Sequence, residues 1–291
     1  LNYYKNNKRI KWHVDHLKYD IFTKDLHSWL MNIDLLAEEK EAFNISNVSI
    51  YTELASYLTH VIDFIQLTDK GVTPIYSNQN NIFLDKIWNK KTVKTTLLSE
   101  LENSRYKLNY LHFFYSFIVR IFPKKYVKNL IISSSNLSNQ YLKGIKGITL
   151  KVIPHYFFKP NTKSSIFSRT LTNKIKSLLV QNIEESYFKL NTDHIESIEF
   201  IIDSYIARAH NDIINYKDFV SGFSNNTTLI SGTGYSYYNR LFSVILKKEG
   251  IKVIRFNHGG DRCFFKDSYF WDNGDLDYID EYVTYGIKWK V

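Results

Sequence analysis

The sequence predicts an α/β protein with a doubly wound, mostly parallel sheet, and three observations carry that prediction. Residues 227–256 read as strand, helix, strand; residues 128–153 repeat that order more weakly; and two long helical stretches, 172–190 and 192–216, lie between them. Successive strand–helix–strand units in one chain argue for a single parallel sheet with helices laid over it. The chain has 291 residues, 44% hydrophobic and 16% aromatic, enough for a substantial core.

Taken in order, residues 1–71 are helical in pattern. Ile21, Leu26, Trp29 and Leu30 recur at helical spacing, as do Leu54, Leu58, Val61, Ile62 and Ile65. Residues 72–76 form a short predicted strand, and residues 91–121 one or two helices stopped by Pro123. The first domain is therefore read as a helix-rich region over 1–125 packed on the sheet, and the second as an α/β domain over 126–291. In the second, residues 129–133 (NLIIS) form a strand, 134–136 a polar turn, 137–143 a short helix and 148–153 (ITLKVI) a strand ended by Pro154. Residues 159–168 read as a polar loop. The helix at 192–216 shows Ile195, Ile198, Ile201, Ile202, Tyr205 and Ile206 on one face, which suits a cover for the sheet; Arg208 and His210 carry no distinctive signal there.

The strongest unit comes last. Residues 227–231 are a β-branched strand, and residues 235–249 set Tyr238, Leu241, Phe242, Ile245 and Leu246 on one helical face, leaving Arg240 as a surface charge. Gly250 stands where a helix end favours a left-handed residue, and 251–256 resume as a strand. Loops at the carboxyl ends of parallel strands are where such proteins collect ligands. Two are marked: Gly232-Thr233-Gly234 after the first strand, and Asn257-His258-Gly259-Gly260-Asp261-Arg262 after the second.

His258 is the catalytic candidate. A buried strand fixes its backbone, the following glycines let a substrate approach the peptide and offer N–H groups to an oxyanion or phosphate, and an imidazole titrating near neutrality suits a general base. Asp261 is placed either to orient that ring or to bind a substrate hydroxyl; Arg262 suits a phosphate or carboxylate. Gly232, Thr233 and Gly234 open a helix whose amide groups suit an anion, and their spacing matches neither the dinucleotide fingerprint nor a P-loop, so no nucleotide cofactor is expected. Asp267, Asp272, Asp275, Asp277 and Asp280 form an acidic segment without metal-ligand spacing, read as solvated loop carboxylates, and no metal is expected. His13, His16, His27 and His60 show no ligand pattern either, His155 is a lone histidine at a strand end where a functional residue could sit, and Cys263 has no triad partner in sequence.

The net charge of +9 points to an anionic partner, either a phosphorylated substrate or a membrane surface; the lysines are dispersed and no nucleic-acid motif accompanies them. A single cysteine rules out an internal disulfide framework and fits a reducing compartment. No apolar run reaches the length of a membrane span. Residues 111–122 (LHFFYSFIVRIF) come nearest: the plain reading is a buried helix, and the sharper one an aromatic patch that, with Lys124, Lys125 and Lys128, meets an anionic bilayer. Since Met31 is the only methionine and the chain stops one step past a predicted strand, a piece of a longer protein is expected.

A helix leading into Glu249-Gly250-Ile251-Lys252-Val253, then His258-Gly259-Gly260, then Asp280-Glu281-Tyr282-Val283-Thr284-Tyr285-Gly286, resembles the end of the N-terminal domain of GT-B glycosyltransferases. The nearest likeness is to bacterial capsule, lipopolysaccharide and teichoic-acid enzymes. The likeness covers about sixty residues well and the remainder by topology alone. It implies a Rossmann-like domain, a C-terminal donor-binding domain beyond this chain, and a histidine in the interdomain cleft, a role that carries over to His258 alone. It further implies a nucleotide-activated sugar or polyol-phosphate donor, a glycan or lipid-linked glycan acceptor, and a cytoplasmic site, peripheral at the inner face of the membrane. Asn257 stands where glutamine is frequent in those families. The competing expectations are a metal-dependent hydrolase on His258 and Asp261, and a noncatalytic glycan- or membrane-binding module.

Overall fold

The computed structural model describes residues 24–69, 110–152, 165–232, 234, 236–257, 276–284 and 288–290. In chain order these form α1 (24–31), α2 (Ala37–Asp69), α3 (Tyr110–Ile121), a 3₁₀ turn (Lys124–Tyr126), β1 (Val127–Ile131), α4 (Asn136–Lys143), β2 (Ile148–Lys151), α5 (Ile166–Ser186), α6 (Thr192–Val220), β3 (Thr228–Ser231), α7 (Tyr237–Lys248), β4 (Lys252–Phe256), β5 (Glu281–Val283) and β6 (Lys288–Lys290). The predicted strand at 72–76 lies outside the described residues, as do His13, His16, His155 and Cys263.

The fold is α/β. Five strands, in the order β2-β1-β3-β4-β5, run parallel, and β6 closes one edge antiparallel to β5, an arrangement common at the margin of doubly wound sheets. Alternation along the strands assigns the two faces. Ile131, Ile230, Ile254 and Phe256 form a buried cluster against Leu137 and Leu142 of α4. Arg255, one residue out of phase, reaches Ser243 of α7 from the other face. With α4 and α7 on opposite faces, the predicted double winding is observed. The first strand, however, begins two residues earlier than predicted: Val127 and Lys128 carry little apolar signal, yet Val127 pairs with Ile148.

The chain divides into two compact units. One comprises residues 1–34, 49–102 and Ile166–Ser204; the other 35–48, 103–165 and 205–291. In the first, α5 buries Leu171, Ile175, Leu179 and Ile183 on one stripe. Lys176 pairs with Glu199 at 2.7 Å, Thr172 donates to Asp203, and Trp29 packs edge-on against Tyr187, whose hydroxyl bonds Asp25. These contacts are what draw α5 and the first half of α6 to the helical unit rather than to the sheet. Helix α5 also starts at Ile166, inside the stretch read from sequence as loop.

Helix α7 ends as Gly250 predicts. Gly250 has φ 76°, its N–H donates to the Lys247 carbonyl at 3.0 Å, and the next N–H, of Ile251, donates to Leu246 at 2.9 Å, the paired bonds of a left-handed helix stop. A Cβ at Gly250 meets nothing within 4 Å, so only the backbone conformation resists a side chain. Gly250→Ala is expected to cost about 1 kcal/mol in urea unfolding; a variant as stable as the parent would remove the conformational argument.

Candidate functional site

The site follows from the strand order. From β1 the chain goes outward through α4 to β2, then crosses back to β3 on the other side of β1 and continues outward through β4. The direction reverses between β1 and β3, and such a switch point, at the carboxyl ends of the strands, is the usual ligand position in an open α/β sheet, where a crevice is expected. The residues at that crevice are the serine-rich exit of β1 and the glycine loop leaving β3.

These two loops are in direct contact. The Gly232 N–H donates to Ser133 Oγ at 2.7 Å, and Ser133 Oγ lies 3.3 Å from Ser231 Oγ. A Cβ at Gly232 would sit 3.4 Å from the Ser134 carbonyl carbon and the Ser135 nitrogen, in van der Waals contact, so there is room for a methyl group and little for a larger side chain. Each loop then opens a helix. Ser135 caps α4, accepting from the Ser138 N–H at 3.1 Å while the Ser138 hydroxyl accepts the Ser135 N–H at 2.7 Å. Ser236 caps α7, accepting from Asn239 at 3.4 Å. Two helix N-termini, one above each face of the sheet, thus begin at the same crevice and give it a positive potential with N–H donors.

Beneath the first turn of α7 lies a buried polar cluster that the sequence did not reveal. Tyr237 donates to Asp212 Oδ2 at 2.7 Å, and Arg208 donates from Nη2 to the Tyr238 hydroxyl at 2.7 Å. The Arg208 guanidinium lies 4.2 Å from the Tyr237 ring centroid, with Nε 3.6 Å from Asp212. Burial opposes the charge on Arg208, but Tyr237, Tyr238 and Asp212 together hold its pKa above the ordinary value. Burial, reinforced by the Asp212 charge, pushes the Tyr237 and Tyr216 phenols well above 10.0. The cluster fixes the end of α7 that faces the crevice. Its only sequence signal was the i, i+4 spacing of Arg208 and Asp212.

Those phenols predict an alkaline limit. Folded, they keep their protons above the pH at which the unfolded chain releases them, so stability is constant below about pH 10 and falls as pH rises beyond it. Thermal melts from pH 8 to 11 should show that fall, reduced in Tyr216→Phe; equal slopes in parent and variant would exclude Tyr216 as a source.

Of the sequence candidates, Gly232 and Gly234 are buried in the β3–α7 loop, and Thr233 lies outside the described residues. Asn257 follows β4, its N–H donating to Val283 at 2.9 Å and its side chain buried, which brings the chain to the carboxyl edge one strand from Gly232. His258, Gly259, Gly260, Asp261 and Arg262, with Asp267, Asp272 and Asp275, lie outside the described residues. Two further readings are corrected. Arg240 is no surface charge but 2% exposed, donating to the Asn44 carbonyl at 2.7 Å and to Asp277 at 2.9 Å. Asp277 and Asp280 are not solvated loop carboxylates: Asp277 holds Arg240, while Asp280 accepts the Val253 N–H at 2.8 Å and lies 3.3 Å from Lys247.

Among the described residues no group of histidines, cysteines and carboxylates could hold a metal ion, and no helix is long and apolar enough to cross a membrane. A polar groove of about 410 Å³ in the helical unit, lined by Arg169, Thr172, Asn173, Glu196, Glu199 and Asp203, has Glu199 bonded to Lys176 and Asp203 to Thr172. Comparison of the chain with protein-family models, with curated proteins and with solved structures gave no match.

Proposed function

We propose that this chain is the acceptor-side half of a GT-B type transferase of surface-polysaccharide synthesis. It would move a glycosyl or polyol-phosphate group from a nucleotide-activated donor to a glycan hydroxyl. The observation that carries this reading is the β1/β3 switch point, with two capped helix N-termini and touching serine and glycine loops, one strand away from the chain that leads into His258. Oriented N–H groups suit a phosphate-bearing ligand, and a histidine entering from the adjacent strand end suits the proton taken from an attacking hydroxyl. In this reading Asp261 orients the imidazole, Arg262 and the Gly259-Gly260 amides face the leaving phosphate, and Arg208 with Tyr237 and Asp212 holds α7 in place. The hydrolase alternative is weakened, because Asp277 and Asp280 are already engaged by Arg240, Val253 and Lys247.

The test is turnover from nucleotide-sugars or nucleotide-linked polyol phosphates to a glycan acceptor, measured on the chain together with the C-terminal donor-binding domain that the resemblance implies. His258→Ala should retain donor affinity and lose roughly 10²–10⁴-fold in turnover, whereas Gly232→Val should lose affinity because its side chain presses the β1–α4 backbone. Absence of turnover with every such donor in the two-domain protein, or unchanged turnover in His258→Ala, overturns the proposal.

A further inference from the structure

Helix α3 lies at the other end of the sheet from the crevice, since it leads through the 3₁₀ turn into the amino end of β1. Val119 is fully buried and anchors one side of the helix. The plain expectation for this stretch, a buried helix, does not hold for its other side: Phe114, Phe117, Ile118 and Ile121 are 64%, 55%, 40% and 66% exposed. Their spacing of three, four and seven residues makes one continuous apolar stripe. Tyr126, 55% exposed, extends it toward the sheet.

The charges carried by this stretch of chain are all of one sign. From Tyr110 to Ile131 the chain holds Arg120, Lys124, Lys125 and Lys128 and no aspartate or glutamate. Lys125 and Lys128 are exposed, with Lys125 Nζ 5.0 Å from the Tyr126 ring. Pairing of Val127 with Ile148 continues the surface onto β2, where Lys146 and Ile148 are exposed and Gly147 lies under the Lys128 side chain, so close that a Cβ there would come within 2.8 Å of Lys128 Cγ.

We infer that this face docks the protein on an anionic lipid bilayer. Phe114, Phe117, Ile118 and Ile121 enter the boundary between headgroups and acyl chains, while Tyr126, Lys125, Lys128 and Lys146 lie at headgroup level against lipid phosphates. Charge decides between occupants. A second copy of the chain would set lysines against lysines, whereas an anionic leaflet complements both the apolar stripe and its basic border. Docking at the amino edge of the sheet leaves the carboxyl-edge crevice uncovered, so this inference stands independently of the transferase reading.

Cosedimentation of the full chain with phosphatidylcholine vesicles, with and without phosphatidylglycerol, tests it. Binding should require phosphatidylglycerol and weaken with salt. Lys125→Glu and Lys128→Glu should each reduce partitioning by about fivefold or more, and the pair Phe117→Ser, Ile121→Ser by at least about tenfold at any salt. All four positions are exposed, and circular dichroism with an unchanged melting temperature confirms that the variants fold. Three results would each overturn the inference: no binding to anionic vesicles, binding unaffected by both sets of substitutions, or a dimer of the parent that Phe117→Ser, Ile121→Ser dissociates without altering vesicle binding.

Discussion

Replacing Asp212 with alanine is expected to cost about 3–5 kcal/mol of stability, the range for removing one partner of a buried ion pair. Asp212 is 2% exposed, accepts the Tyr237 hydroxyl and neighbours the Arg208 guanidinium, itself 9% exposed. Its loss strands a buried cation and a buried phenol together, and water has little access to either. Much of that penalty belongs to the charge left behind, so Arg208→Met combined with Asp212→Ala should be more stable than Asp212→Ala alone. Urea unfolding of the two singles and the double closes the cycle. A double variant that is less stable than Asp212→Ala would mean that Arg208 is held by its tyrosines and not by the carboxylate.

Arg240→Ala should lose about 3 kcal/mol. One guanidinium links α7 to the Asn44 carbonyl of α2 and to Asp277 in the turn before β5, and it lies 5.6 Å from the ring of Tyr278. Tyr278 has φ 56°, an uncommon value for a residue with a side chain, so the turn depends on outside contacts to keep its shape. Asp277 is partly exposed and water can take up its charge, which holds the loss toward the lower end of the range. Arg240→Lys keeps the charge but lacks the fork that serves two acceptors at once, and should recover only part of the loss. A loss under about 1 kcal/mol in Arg240→Ala would show the ion pair to be no better than a surface one.

The contrast between these arginines and the central strand–helix–strand unit shows what the sequence made legible. Residues 228–256 were readable because each step leaves a local mark: a β-branched run, a helical apolar face, a glycine at the helix stop, a second apolar run. The burial of Arg240 and Arg255 leaves none, because a charge goes inside only when its partners arrive from elsewhere; those of Arg240 lie 196 and 37 positions away. The partner of α5 is illegible for a related reason: its stripe is amphipathic against any apolar surface, and periodicity does not say which one. At the crevice the glycine loop was recognised from Gly232 to Gly234. Of the serines that complete it, Ser133 read as the end of a strand and Ser135 as part of a polar turn, since hydroxyls at a strand exit are common and their meaning came from the strand order.

That strand order also governs how the sheet assembles. Thr227 donates to the Val127 carbonyl and Ser133 meets Ser231 across separations of 100 and 98 residues, whereas β3, α7 and β4 are contiguous in the chain. Closing the longer loop carries the greater entropic cost and slows the approach of its ends. The β3–β4 half is therefore the natural nucleus, and the junction that creates the crevice is among the last parts to form. Slow refolding and late protection of the β1 amides against deuterium exchange are the kinetic signature of placing a binding site where the chain reverses direction.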